Sequence, residues 1–271
     1  MEATVEPRIP DVTTSPAITL KPRRRWLRFS LRTLMVLVLA ISMPLAWLGM
    51  KVRRANEQRS AVEAIRAVGG YVEYDHEYKF CYFHEQMSGP SIPFGLSEDP
   101  PPPGPVWLRR LSGDDLFAEA VYVEGSEDAD KIVSHVEQLP YLRHLLLGVA
   151  SQDCLVTDSS LVQVKGLTRL KTLRLYHTRV TDAGLVHLKG LSQLESLGLC
   201  GTKVTDAGLV HLQGLPRLQM LDLRSTEVTD TGLGYVRGLP QLKAVILGDT
   251  RVTDLGVRRL QQALPNVQIV R

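Results

Sequence analysis

The chain lacks the short patterns that carry familiar chemistry. Its 271 residues contain no Gly-x-Ser-x-Gly, no His-Glu-x-x-His, no phosphate loop and no dinucleotide fingerprint. None of the hydrolase, zinc-peptidase or nucleotide chemistries served by those spacings is therefore indicated. Cysteine is scarce. Cys81, Cys154 and Cys200 are odd in number and have no metal-ligand spacing, so they read as three free thiols. Charge is nearly balanced, with a formal net of +3. That small excess is concentrated near the start, which points to membrane topology rather than to nucleic acid. His76-Glu77 and His84-Glu85 lie in or beside a loop with no partner motif. They read as solvated loop charge. No catalytic residue, cofactor or metal is assigned, and the chain reads as a non-enzyme.

A second absence is local. Thr33 to Met50 contains no charged residue. As a helix those residues extend about 27 Å, close to the hydrocarbon thickness of a bilayer. Pro44 is tolerable in a membrane helix, and Trp26 and Trp47 lie near the two ends, where interfacial aromatics belong. Arg23, Arg24, Arg25, Arg28 and Arg32 precede the stretch, and Lys51, Arg53, Arg54 and Arg59 follow it. The somewhat more basic N-terminal flank predicts a cytoplasmic N-terminus, with the rest of the chain exported across an inner membrane. The leader is long and no Ala-x-Ala site follows, which favours a retained signal anchor over a cleaved peptide.

The expected organisation follows the composition. Residues 1–32 form a disordered basic tail and 33–50 the transmembrane helix. Residues 51–105 are juxtamembrane. Within them a helix over 53–68 has Ala55, Val62, Ile65 and Val68 on one face and ends at Gly69-Gly70. A strand at Tyr71–Tyr74 comes next, then a spacer containing the run Pro100–Pro103. Residues 106–271 form a repeat domain, with a cap helix over Val106–Phe117 at its open end.

What fills the second half is one recurring phrase. Val180-Thr181-Asp182-Ala183-Gly184-Leu185 returns at Val204, Val228 and Val252, each 24 residues on, and Val156-Thr157-Asp158 precedes it. A period in this range means a solenoid. Within a unit, Leu173-Arg174-Leu175 alternates like a strand with both leucines inward. Asp182 stands where an aspartate can cap the short helical turn that follows. One such unit cannot fold alone, because its apolar flanks are covered only by its neighbours. Strands are expected at Val121–Val123, at Leu145–Leu147, in four regular repeats, and at Val267–Ile269 as a seventh.

Leu170-x-x-Leu173-x-Leu175-x-x-Thr178-x-Val180 resembles the leucine-rich repeat pattern, with threonine where many members carry asparagine or cysteine. The resemblance is to bacterial leucine-rich repeat proteins of the short Val-Thr-Asp-x-Gly-Leu type and covers residues 119–271. Arg28 to Leu34, the apolar stretch and Ala64 to Gly70 are similar to the head of many bacterial single-span repeat proteins. The resemblance implies an α/β solenoid of short parallel strands and short helices. Its concave sheet would be the ligand surface, about 30 Å long for seven strands.

Outward positions of that sheet are His144, Leu146 and Gly148; Thr172, Arg174 and Tyr176; Ser196, Gly198 and Cys200; Met220, Asp222 and Arg224; and Ala244, Ile246 and Gly248. The most ligand-like cluster is Arg174, Tyr176, Asp222 and Arg224, since tyrosine and arginine are frequent interface anchors. Gly198 and Cys200 between them would leave a shallow dip. Three ladders invite structural readings. Asp158, Asp182, Asp206, Asp230 and Asp254 cap helices. Thr178, Thr202, Thr226 and Thr250 bond backbone groups in turns. His187 and His211 form an exposed pair with no recurring third ligand. An insertion over Gly148–Cys154 stretches the pattern where solenoids often carry binding loops. The expected function is non-catalytic recognition of a protein or glycan by a membrane-anchored module. A cytoplasm-facing scaffold, or a non-catalytic subunit of an enzyme complex, is the alternative.

Overall fold

The computed structural model describes residues 31–74, 120–125, 128–148 and 155–271. The tail 1–30, the proline run, the expected cap helix 106–117, Cys81, Cys154, His84 and Glu85 lie outside them, as does the insertion beyond Gly148. The chain divides into two compact units, Met1–Trp47 and Leu48–Arg271.

In the first unit the described residues are helical. Helix α1 spans Leu31–Ala67 and contains Pro44. Its apolar side chains before Trp47, including Met35, Leu37, Val38 and Ile41, are exposed. Among the described residues this is one helix long and apolar enough to cross a membrane. The apolar stretch 33–50 and the helix expected over 53–68 are not separate elements. They are one, because Lys51-Val52 offers neither glycine nor proline to break the turn.

The second unit begins with the remainder of α1. Ala61, Val62 and Ile65 are buried there, and Val68 packs at the margin of the same core. Gly69 ends the helix at φ +79, a conformation in which glycine carries no Cβ penalty. Eight strands then form one sheet in chain order: β1 (Tyr71–Tyr74), β2 (Ala120–Gly125), β3 (His144–Leu147), β4 (Thr172–Leu175), β5 (Ser196–Gly198), β6 (Met220–Asp222), β7 (Ala244–Ile246) and β8 (Gln268–Val270). β2 to β8 are parallel, the seven strands expected from the pattern. β1 pairs antiparallel with β2, Val72 opposite Val123. The strand placed in the juxtamembrane segment by sequence is thus hydrogen-bonded to the solenoid. Val72 and Tyr74 join Ala61, Val62 and Ile65 in the same apolar core as Val123 and Ile132. At the described N-terminal end, this hairpin and α1 supply the cover that terminal repeats need.

Opposite the strands runs a helical layer. It comprises an α-helix at Ala129–Val136, 3₁₀ helices at Ser160–Gly166 and Gly184–Gly190, mixed turns at Asp206–Gly214, and helices at Leu233–Val236 and Asp254–Ala263. Strands stack about 4.8 Å apart, whereas an α-helix with its side chains is about 10 Å across. Short 3₁₀ turns, wound more tightly, ease that mismatch in width. The leucines of each unit, such as Leu173, Leu175, Leu185 and Leu188, are fully buried between the layers.

The threonine ladder behaves as expected. The hydroxyls of Thr178, Thr202, Thr226 and Thr250 donate to the carbonyls of Leu175, Leu199, Leu223 and Leu247 at 2.6–3.0 Å. The aspartate ladder does not. Asp158 reaches forward into the next unit, accepting from Thr181 N at 2.7 Å and Thr181 Oγ1 at 2.6 Å. Asp182, Asp206 and Asp230 do the same to Thr205, Thr229 and Thr253. Caps are supplied by threonine instead: Thr205 accepts from Ala207 N and Thr253 from Gly256 N. The carboxylates staple consecutive units because a two-oxygen acceptor can hold an N–H and an O–H at once.

Candidate functional site

Outward-facing positions of the sheet are ordered by their register. Glu124, Leu146, Arg174, Gly198, Asp222, Ile246 and Val270 form one row across β2–β8. Tyr122, His144, Thr172, Ser196, Met220, Ala244 and Gln268 form the row beside it. The face is less open than alternation alone suggests. Leu146, Ser196, Cys200, Asp222 and Ala244 are all buried. Long side chains on one strand lie across small residues on another.

Arg174 with Tyr176 and Asp222 with Arg224 form two pairs on this face, separated in register by β5. Arg174 Cζ is 5.8 Å from the Tyr176 ring centroid, within cation–π range. A Cβ added at Gly198 would run into the Tyr176 ring. The ring therefore covers Gly198, and the dip expected between Arg174 and Asp222 is filled. Burial, first of all, raises the Tyr176 hydroxyl to about 12, with Arg174 opposing the shift.

Asp222, 2% exposed, is held by Arg224 through Nη2–Oδ2 at 2.7 Å and Nε–Oδ1 at 3.0 Å, and it also accepts from the Arg224 backbone N–H at 3.1 Å. This bond set leads the causes that raise the Arg224 pKa and hold the guanidinium charged. The Arg224 stem lies over Gly248, with Cγ 3.4 Å from where a Cβ would stand. Cys200 sits among these groups. Burial, then the Asp222 charge, pushes its thiol up. It is neutral near pH 7 and a poor nucleophile.

Elsewhere the picture is structural. His187 and His211 are half-buried in the helical layer. Among the described residues no group of three or more His, Cys, Asp or Glu side chains could hold a metal ion. His177, Ser225 and Asp249 occupy left-handed backbone at φ 53, 51 and 54, the repeat position that Gly201 fills at φ 70.

Two groupings of side chains are not evident from sequence alone. Tyr71 and Tyr122 meet edge-on, ring centroids 6.3 Å apart, and Tyr122 lies 6.4 Å from His144. Their hydroxyls donate to Glu73 and Glu124 at 2.8 and 2.6 Å. The alternation Tyr71-Val72-Glu73-Tyr74 was visible, but its pairing with β2 across 45 intervening residues was not. The second grouping joins Arg54, Tyr141 and Arg169. Arg54 Nη1 donates to the Tyr141 hydroxyl at 3.1 Å, and Arg169 Cζ lies 4.3 Å from the ring centroid.

Comparison with known proteins agrees with this architecture. A family model described as leucine rich repeat matches residues 168–228. With the 24-residue units and their strand-and-helix layers, it identifies the fold as a leucine-rich repeat solenoid. Similar solved structures include an internalin from Listeria monocytogenes, at 22% identity and TM-score 0.37. That alignment covers 51% of this chain and 43% of the internalin chain, so the chain spans less than half of that relative. Internalin C2 from Listeria monocytogenes is 19% identical at TM-score 0.40, over 60% of this chain and 83% of that one. No curated protein sequence matches.

Proposed function

We propose that this chain is a membrane-anchored, non-catalytic binding module. Its sheet face recognises a protein or glycan partner, and the uncharged stretch 33–50 holds it in an inner membrane. Extended sheet surfaces are how solenoids bind. The observation that carries the reading is the pre-ordered cluster on that face. Asp222 is buried and fixes the Arg224 guanidinium in one geometry, while Tyr176 is seated over Gly198 beside Arg174. Rigid aromatic and arginine groups bind at a smaller entropic cost than mobile ones. The basic flanks of the apolar stretch support a cytoplasmic N-terminus and an exported solenoid.

The test uses the full chain in its own membranes. Cross-linked partners are captured with wild type and with a variant carrying Arg174→Gln, Asp222→Asn and Arg224→Gln. Replacing Asp222 and Arg224 together avoids leaving a buried charge alone. Loss of the captured partner, with the thermal midpoint within a few degrees of wild type, is expected. Capture at wild-type level overturns the sheet-face assignment.

A further inference from the structure

We propose that Arg54, Tyr141 and Arg169 form a clamp for the phosphate of an anionic lipid headgroup. The proposal rests on the anchored reading above and adds a second, chemically defined site away from the sheet face. All three residues belong to the unit Leu48–Arg271. The Arg54 guanidinium donates to the Tyr141 hydroxyl at 3.1 Å and lies 6.0 Å from the ring centroid. Arg169 stacks at 4.3 Å from the same centroid. Two cations thus share one ring. Among the described residues neither guanidinium has a carboxylate within ion-pair distance.

The donor inventory points to an anion. Arg54 spends one N–H on Tyr141. Among the described residues Arg169 spends none of its five on a hydrogen bond. The tyrosine oxygen accepts from Arg54, leaving its own O–H to donate. Every group offered is a donor. Guanidinium forks match phosphate oxygens bidentately, and a bound phosphate offsets the repulsion between the two cations.

Placement favours a lipid over a soluble phosphate. Arg54 stands four residues past Met50, where the uncharged stretch ends, about 6 Å of helical rise. Headgroups lie at that depth, and tyrosine with arginine is a usual interfacial pairing. Beside Arg169 the helical layer adds Lys165, and residues 159–169 contain no Asp or Glu, whereas the helix Ala129–Val136 carries Asp130 and Lys131.

The experiment uses the full-length protein reconstituted in nanodiscs of phosphatidylcholine with a minority of phosphatidylglycerol. Lipids retained after mild detergent release are counted by native mass spectrometry. Wild type is expected to retain phosphatidylglycerol selectively. Arg54→Gln and Arg169→Gln should each lower retention about fivefold, and the double variant more than tenfold. Arg217→Gln, two repeats along from Arg169, should change it little. Circular dichroism melts check that the variants fold. Retention unchanged in the double variant overturns the clamp while leaving the anchor standing. Release of the lipid by millimolar inorganic phosphate makes it a soluble-phosphate site and overturns the lipid assignment. Recovery of the native protein as a soluble species lacking residues 33–50 overturns the anchored reading itself.

Discussion

Asp222 shows how much one residue's surroundings decide. Alternation along β6 puts it on the outward side of the sheet, yet it is 2% exposed and depends on Arg224 for its bonds. Arg224→Ala would leave a buried carboxylate without its counter-charge. A fully enclosed pair loses about 3–5 kcal/mol this way. The Arg224 side chain is 27% exposed, so a loss of about 2 kcal/mol is expected from urea unfolding. Asp222→Asn in that background should recover most of it. Tyr176 gives a pH signature at the same place. Its hydroxyl titrates near 12, against an ordinary 10.0. Between pH 10 and 12 the unfolded chain has lost that proton and the folded chain has kept it. Stability therefore falls as pH rises through the window. Urea midpoints at pH 9 and 11 should show a drop, and Tyr176→Phe should shrink it while changing the pH 7 midpoint little. A wild-type midpoint equal at both pH values would rule the shift out.

Between residue and molecule, the unit of design is the junction of two repeats. The phrase Val-Thr-Asp-x-Gly-Leu is conserved within the chain because its parts meet across that junction. Asp182 holds the amide and hydroxyl of Thr205, and a Cβ at Gly208 would collide with Asp182 Oδ1. Glycine is present because the neighbouring carboxylate occupies the space. Asp182→Ala should cost about 2 kcal/mol for the two lost bonds, and Gly208→Ala about 1–2 kcal/mol by displacing the carboxylate. In the double variant the obstacle is gone, so the costs should fall clearly short of additive. Full additivity in a thermal-unfolding cycle would disprove the staple. The period, the strands and the threonine turns were all legible in sequence, because each depends on residues a few positions apart. The staple was not, since a capping aspartate and a bridging one recur at the same interval. Nor was Tyr176 over Gly198: the pattern marks a small residue without saying which neighbour leans across it. The antiparallel pairing of β1 with β2 was hidden by their separation along the chain.

At the scale of the whole molecule the proposed anchor implies an orientation for the solenoid, and the charge distribution gives its direction. The arginines at 23, 24, 25, 28 and 32 outnumber the bases just after Met50, and under the proposed anchoring the more basic flank would stay cytoplasmic. With the outer envelope permeabilised and the inner membrane intact, an added protease should digest the solenoid and leave the anchor embedded. The fragment should appear without any need to open the inner membrane, because exposed basic residues such as Lys165, Lys189 and Lys203 offer cleavage sites on the solenoid. Recovery of the solenoid intact until the inner membrane is opened would reverse the orientation. The same sheet face would then be presented to cytoplasmic proteins, and a glycan partner would lose its place. The outcome also bears on the proposed headgroup clamp. Anionic lipids give the cytoplasmic leaflet its negative surface potential, so an exported solenoid must draw its phosphate from the opposite leaflet. Phosphatidylglycerol co-purifying with the exported protein from its own membranes, and lost when Arg54 and Arg169 are both replaced by Gln, would mean that this leaflet supplies it.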